Sequence, residues 1–465
     1  MSGTSFHGSC SCATRRDVLR GGLAASAALF AAPSSALAAL RVSEPPGTAA
    51  RPWLEAAQKA ERWLARTAVR SEQGLTWPAD PANPRSTGSD LYHGAPGVVL
   101  FYLELFHATH DPEALAKAAA GADHLAAWVK DAPANAQTGL YTGLAGVAYT
   151  LAMAARTTNL APHRDAAQRA LQRVHALAKP AGRGVEWNQS TDIVSGSAGI
   201  GLFLLWAQKH MDDQRAVALA SRAGQRLIEL GQPANDGLKW LIQPGMARNY
   251  PNFSHGAAGV SFYLASLHQA MRAQEFLDAA LAGTRYLDEI ATTTPSGGRM
   301  VFHSEPGNES IYYLSWCHGP GGTARLYHRL GEITGSTAHR DRVDQLARAL
   351  EDMKVPERSP GFWNNISQCC GNSGVVEFLL DVHRSRGDRR SLDMAVRVSE
   401  DTMQRATPES DAVKWIQAEH RVRPQLLVAQ TGLMQGAAGV GLAMLHLDAA
   451  LETRQRLVVL PDSPF

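Results

Sequence analysis

The sequence predicts an all-α protein, an α/α toroid in which about seven inner helices are ringed by about seven outer ones. Three observations carry that expectation. A Gly-x-x-Gly element recurs at Gly94/Gly97, Gly143/Gly146, Gly196/Gly199, Gly256/Gly259, Gly319/Gly322, Gly371/Gly374 and Gly436/Gly439, with successive first glycines 49 to 65 residues apart. A repeat of that period marks stacked supersecondary units. Each element leads into nearly unbroken apolar chain, as at 98–106, 200–207, 260–267, 375–380 and 440–447, and a helix with almost no polar face is buried on most sides. Between these runs lie amphipathic segments, at 52–69, 112–129, 163–179, 213–230, 275–292, 338–354 and 391–405. Their charges recur at helical spacing, so each reads as a helix with one wet face. No β-branched run alternates with period two, which disfavours a parallel sheet. An open α-solenoid is the competing architecture, but it would leave a second face of the inner helices exposed.

The chain opens with Thr14-Arg15-Arg16-Asp17-Val18-Leu19-Arg20, a small apolar stretch at 21–32, and Ala36-Leu37-Ala38. A charged region, a short apolar region and a small-x-small site read as a cleaved secretory signal over 1–38. The paired arginines point to the bacterial twin-arginine route, with an ordinary secretory signal as the alternative. Export to the periplasm or the medium is therefore expected. Residues 39–50 read as a linker, 51–455 as the toroid domain and 456–465 as a C-terminal tail. Hydrophobic residues are 45% and charged residues 19%, enough for a sizeable core. Lys+Arg 45 against Asp+Glu 43 leaves no basic stripe, so nucleic acid is not an expected partner. Cleavage after Ala38 would leave 42 residues of each sign. Beyond the N-terminus no apolar run reaches the ~18 residues of a membrane span. The mature chain is expected to act as a monomer.

Glycine at each inner-helix entrance lets backbones approach closely at one rim, where helix N-termini point their free N–H groups. Chemistry should sit there, in the residues just before each repeat. Repeat five reads Ser315-Trp316-Cys317-His318-Gly319 and repeat six Ser367-Gln368-Cys369-Cys370-Gly371. Of the five cysteines, Cys10 and Cys12 fall in the signal. The other three enter the rim in adjacent repeats. Three convergent thiols with a fourth position open describe a catalytic zinc site, which His318 would close into a structural one. Inert buried thiols are one alternative, and a bridge from Cys317 to either neighbour is another. A Cys369–Cys370 bridge would be strained.

These residues, with Ser254-His255-Gly256-Ala257-Ala258-Gly259 and Thr431-Gly432-Leu433-Met434-Gln435-Gly436-Ala437-Ala438-Gly439, resemble the lanthionine synthetase C-like family over roughly residues 50–455. The resemblance implies an α/α toroid carrying one zinc ion. It also implies addition of a peptide cysteine thiol to dehydroalanine or dehydrobutyrine, giving a thioether ring; eukaryotic relatives bind glutathione and add it to dehydroamino acids. On this resemblance Cys317 and Cys369 are zinc ligands, and Cys370 stands where the third ligand is usually histidine. A third thiolate gives the metal more negative charge than imidazole would, leaving a substrate thiolate more nucleophilic. His255 falls on the catalytic histidine that handles the proton. Asp192 falls on an assisting aspartate, though four residues before a repeat it could equally cap the inner helix. His93 is expected to be structural. Two features depart from the pattern. Cyclases of the family carry arginine four residues before the first zinc cysteine, where this chain has Tyr313; Tyr312, His318, Arg421 and Arg423 are the candidates to compensate. Export, moreover, would separate the protein from an intracellular dehydratase. The leading expectation is zinc-dependent addition of a peptide or small thiol to a dehydroamino acid. The alternatives are a non-catalytic peptide- or glutathione-binding module and a zinc hydrolase, the latter disfavoured because three thiolates reduce the Lewis acidity of zinc.

Overall fold

Every glycine repeat opens an α-helix. The computed structural model describes residues 50–358, 362–363 and 365–465, so the expected signal and linker residues 39–49 lie outside the described residues. Within it the helices are α1 (Pro52–Thr67), α2 (Ala95–Thr109), α3 (Pro112–Asp131), α4 (Leu144–Thr158), α5 (Ala161–Ala176), α6 (Ser197–His210), α7 (Ala216–Leu230), α8 (Ala257–Met271), α9 (Gln274–Ile290), α10 (Pro320–Thr334), α11 (Thr337–Asp352), α12 (Asn372–Arg386), α13 (Arg389–Gln404) and α14 (Ala437–Leu451). The first glycine of each repeat is the N-cap of an even-numbered helix. These are the apolar runs of the sequence; in α2, every residue from Ala95 to Leu105 is buried.

The even-numbered helices pack in a circuit, α2 on α4, then α6, α8, α10, α12 and α14, with α14 returning to α2. That closure excludes the open solenoid. Each odd-numbered helix lies against the even-numbered helix before it, and α1 covers α14, so the first helix of the chain completes the last repeat. No helix among the described residues is long and apolar enough to cross a membrane.

Short antiparallel hairpins come after several outer helices, a feature the helical periodicity does not announce. Val69–Ser71 pairs with Gly74–Thr76, Lys179–Ala181 with Gly184–Glu186, Gln232–Ala234 with Gly237–Lys239, and Thr407–Glu409 with Ala412–Lys414. Just past these four stand Trp77, Trp187, Trp240 and Trp415. Their indole N–H groups donate to the carbonyls of Leu64, Val174, Leu227 and Thr402, at 3.1, 2.8, 2.7 and 2.9 Å. Each acceptor lies in the last turn of its helix, where carbonyls have no intrahelical partner.

Residues 456–465, expected as a tail, belong to the same compact unit, Arg51–Phe465. Glu104 of α2 accepts from the amides of Leu457 and Val458, and Tyr149 of α4 donates to Val459 O. Arg325 of α10 donates to Asp462 O, and Arg456 pairs with Asp381 and Glu377 of α12. A segment bonded to four inner helices around the ring runs through its lumen. Asp462 is wholly buried there.

Candidate metal centre

Before each inner helix the chain folds back on itself. A Cβ on Gly319 would run into Tyr313 O, and one on Gly322 into Trp316 O, so the turn demands glycine at both positions. It leaves the residue two before the first glycine with its backbone turned toward the next repeat. The amide of Tyr92 donates to Tyr141 O, Tyr141 to Val194 O, Ile193 to Ser254 O, Ser254 to Cys317 O, Cys317 to Cys369 O, Cys369 to Met434 O, and Met434 back to Tyr92 O, all at 2.9–3.1 Å. Seven hydrogen bonds thus circle the rim, stepping back one residue only at Ile193. The circle makes Cys317 and Cys369 direct partners, at 3.0 Å.

Their side chains meet. Cys370 Sγ lies 3.4 Å from Cys317 Sγ and 3.3 Å from Cys369 Sγ, with Ser367 Oγ holding the Cys370 amide at 3.1 Å. All three thiols are buried and free, so no bridge forms. Their sulfurs lie within 4.8 Å of one another, a group that could hold a metal ion. A tetrahedron with ~2.3 Å zinc–sulfur bonds spaces its sulfurs by about 3.8 Å, so the donor set fits zinc. His318 does not join the group. Its ring lies 4.5 Å from that of His303, and its Nδ1 is buried with no hydrogen-bond partner among the described residues. The candidate metal group among the described residues is therefore the three thiols without a histidine as fourth. Burial raises the Cys317 thiol, and neighbouring Cys369 and Cys370 raise it further. Burial also works against the Cys369 thiolate, but hydrogen bonds from Cys317, Cys370 and Tyr92 bring that thiol well below its ordinary value.

The cysteines open into a cavity of about 760 Å³. His255 lies on its wall, with Nδ1 2.6 Å from Asp192 Oδ2. Asp192 is 1% exposed, and its other oxygen accepts from Ser195 N at 2.9 Å and Ser195 Oγ at 3.1 Å. The aspartate thus holds the turn before α6 and orients His255 at once, and it does not cap the helix itself. Tyr313 lines the same cavity. His93, expected to be structural, also reaches it, with Nε2 3.1 Å from Glu419 Oε1.

His303, Tyr250, Glu419 and Arg248 also line the cavity, at positions that no motif of the sequence marks. His303 is packed 4.5 Å from both Tyr313 and His318, ring to ring. Burial lowers its pKa to about 4, helped by the charges of Arg421, Arg248 and His255. These residues arrive on the segments before repeats four, five and seven. The glycine spacings there, 60, 63 and 65 residues against 49 to 53 elsewhere, were the available signal.

Fold and site together define a closed α/α toroid with a three-thiol group and a His–Asp pair on one rim cavity. The family model described as lanthionine synthetase C-like protein matches residues 85–458, and the chain belongs to that family. Among solved structures, nisin cyclase is similar with a TM-score of 0.59 at 16% identity, over 85% of this chain and 98% of the cyclase. The GH76A α-1,6-mannanase of Salegentibacter sp. HEL1_6 matches with a TM-score of 0.47 at 11% identity, over 86% of this chain and 99% of its own. No curated protein sequence matches this chain.

Proposed function

We propose that the protein adds a thiol to a dehydroamino acid, forming a thioether at a zinc-dependent site. The observation that carries this reading is the open Cys317/Cys369/Cys370 group sharing one cavity with the His255–Asp192 pair. Zinc held by these three cysteines would keep a substrate thiol as its thiolate near neutral pH. Nδ1–H of His255 donates to Asp192, which fixes the ring and leaves Nε2 as the nitrogen that takes up and delivers the transferred proton. In the overall addition the thiol proton ends on the α-carbon of the acceptor, and His255 is the group placed to move it. A cavity of about 760 Å³ accommodates either a peptide segment or a small thiol such as glutathione. The N-terminal paired arginines support a reaction that takes place after export.

The second reading, a non-catalytic peptide- or glutathione-binding module, is favoured by one observation, the neutral Tyr313 where cyclases have arginine. Two measurements separate the readings. Metal analysis should find one zinc per chain in the wild type and loss of it in Cys370→Ala; a wild-type protein without metal would sink the site. With a dehydroalanine peptide and glutathione, the wild type should form an adduct, and His255→Asn should slow it by about 10²–10⁴-fold with zinc retained. Binding without adduct across roughly pH 6–9 would establish the module instead.

A further inference from the structure

The inner helices begin at the rim and end at the opposite mouth of the ring. Their last carbonyls carry partial negative charge, so basic side chains are favoured there. At that mouth a second cavity opens, of about 620 Å³. Met153 and Arg156 of α4, Trp206 and Lys209 of α6, Gln269 of α8 and Arg329 of α10 line it, all from the C-terminal halves of their helices. Its floor is the C-terminal segment, which contributes Leu457, Val459, Leu460 and Pro461. Glu104 accepts from the Leu457 amide at 3.0 Å, and Tyr149 donates to the Val459 carbonyl at 2.8 Å. These backbone groups are thereby satisfied, and the apolar side chains are left to line the cavity. It shares no lining residue with the rim cavity.

The cations of this cavity are not neutralised. Arg156 and Lys209 are exposed, and neither forms an ion pair among the described residues. Arg156 Nη1 instead lies 3.2 Å from His210 Nδ1. A guanidinium can only donate, so Nδ1 accepts and Nε2–H of that ring is a further donor. His210 also lines the cavity and stacks on Trp206, with ring centroids 4.7 Å apart. Arg329 is largely buried. Its Nη1 donates to Gln269 Oε1 and to Glu332 Oε2, the latter at 3.1 Å, while Nη2 bonds nothing among the described residues. Of the three cations, then, only Arg329 has a carboxylate partner. The helix ends alone do not require this, because at the same mouth Arg386 of α12 is paired with Asp344 of α11. The side-chain acceptors His210 Nδ1 and Gln269 Oε1 are taken by arginines, and what stays free over the apolar floor is a set of donors.

We infer that this far cavity is a binding site for an amphipathic anion. An oxyanion head is held by Arg156, Lys209 and Arg329, and an apolar body lies along Trp206 and the floor of Leu457, Val459 and Leu460. The volume is that of a small-molecule site. The planar fork of arginine matches a carboxylate or a phosphate equally. The site is independent of the thiol chemistry at the rim.

Calorimetric titration of the purified protein with octanoate, butanoate, octan-1-ol and octyl phosphate tests this. The wild type should bind one octanoate per chain, and octyl phosphate at least as tightly. Octan-1-ol, which keeps the chain and lacks the charge, should bind about tenfold more weakly or worse. Butanoate gives up four methylenes and should also lose about tenfold or more. The double variant Arg156→Gln/Lys209→Gln should weaken octanoate by about tenfold and leave octan-1-ol unchanged, with the melting temperature as the control for folding. Absence of saturable octanoate binding, equal affinity for octan-1-ol, or wild-type affinity in the double variant would overturn the site. If the double variant is destabilised, the octan-1-ol and butanoate titrations of the wild type decide. Vesicles separate the two sources of such an anion. Retention on phosphatidylglycerol but not phosphatidylcholine vesicles, lost in the double variant, assigns a lipid; octanoate binding without retention assigns a free molecule.

Discussion

At the rim, His255 gives Nδ1 to Asp192 and remains on the wall of an open cavity; in the lumen, His446 is flanked on both sides, with Nδ1 2.7 Å from Glu377 and Nε2 3.5 Å from Glu104. The lumen cluster continues through Arg456 to Asp381 and through Arg325 to Asp462, so every buried charge faces an opposite one. Burial alone would neutralise Glu377, yet His446 and Arg456 bring its pKa down to about 2. Burial would likewise strip the proton from His446, yet Glu377 and Glu104 raise its pKa to about 9. The rim sulfurs have no such complement. Among the described residues they face one another, and no cationic side chain is bonded to them. Histidine and carboxylate serve both places; what separates them is whether the charges are already compensated. A compensated buried cluster braces the fold, and an uncompensated one is where a ligand completes the set.

The contrast is broken most directly at Asp462. Its Oδ2 accepts from Tyr141 Oη at 3.0 Å and Trp316 Nε1 at 2.9 Å and pairs with Arg325 at 2.9 Å. Asp462→Ala would leave a buried guanidinium unpaired and two donors without an acceptor, at a cost of about 3–5 kcal/mol in urea unfolding. His255→Asn, at the partly exposed rim, should stay within about 1 kcal/mol of the wild type. Equal losses in the two variants would erase the distinction between lumen and rim.

A pH series sharpens it. The folded pKa of His446 is raised above the ordinary value of 6.5, so the stability it contributes is fully present below about pH 6.5 and is lost as the pH rises through about 9. A shift of that size corresponds to roughly 3 kcal/mol. The stability of the wild type relative to His446→Gln should fall across that window, and a pH-independent difference would show that the lumen histidine is not held charged.

The toroid and its cysteines were legible because both depend on fixed offsets. Each repeat must place glycine where a carbonyl presses on it, and the circle of rim hydrogen bonds fixes the residue two positions earlier, so the offset of Cys317 and Cys369 from Gly319 and Gly371 has direct structural meaning. The cavity wall was less legible. His303 and Arg421 come from segments of unequal length, which keep no constant distance from the glycines. The lumen cluster had a signal that periodicity discards. Glu104, Glu377 and His446 stand inside runs read as apolar, and a charge in a buried helix requires a partner. Their partners are far away in the chain, Val458 lying 354 residues from Glu104.

The smallest expected effect concerns how Asp192 is held. Ser195 donates to Asp192 Oδ1 twice, through its amide at 2.9 Å and its hydroxyl at 3.1 Å. The amide belongs to the turn, whose geometry comes from the glycine repeat and survives any side-chain change. Ser195→Ala therefore removes one of two bonds, worth about 0.5–1.5 kcal/mol. If Asp192 acts by orienting His255, adduct formation should slow by roughly two- to twelvefold, far less than in Asp192→Asn, which weakens the acceptor for His255 Nδ1 itself. A loss in Ser195→Ala as large as in Asp192→Asn would mean that the hydroxyl, rather than the turn, keeps the rim pair in place, and the rim would then depend on side-chain bonds as closely as the lumen does.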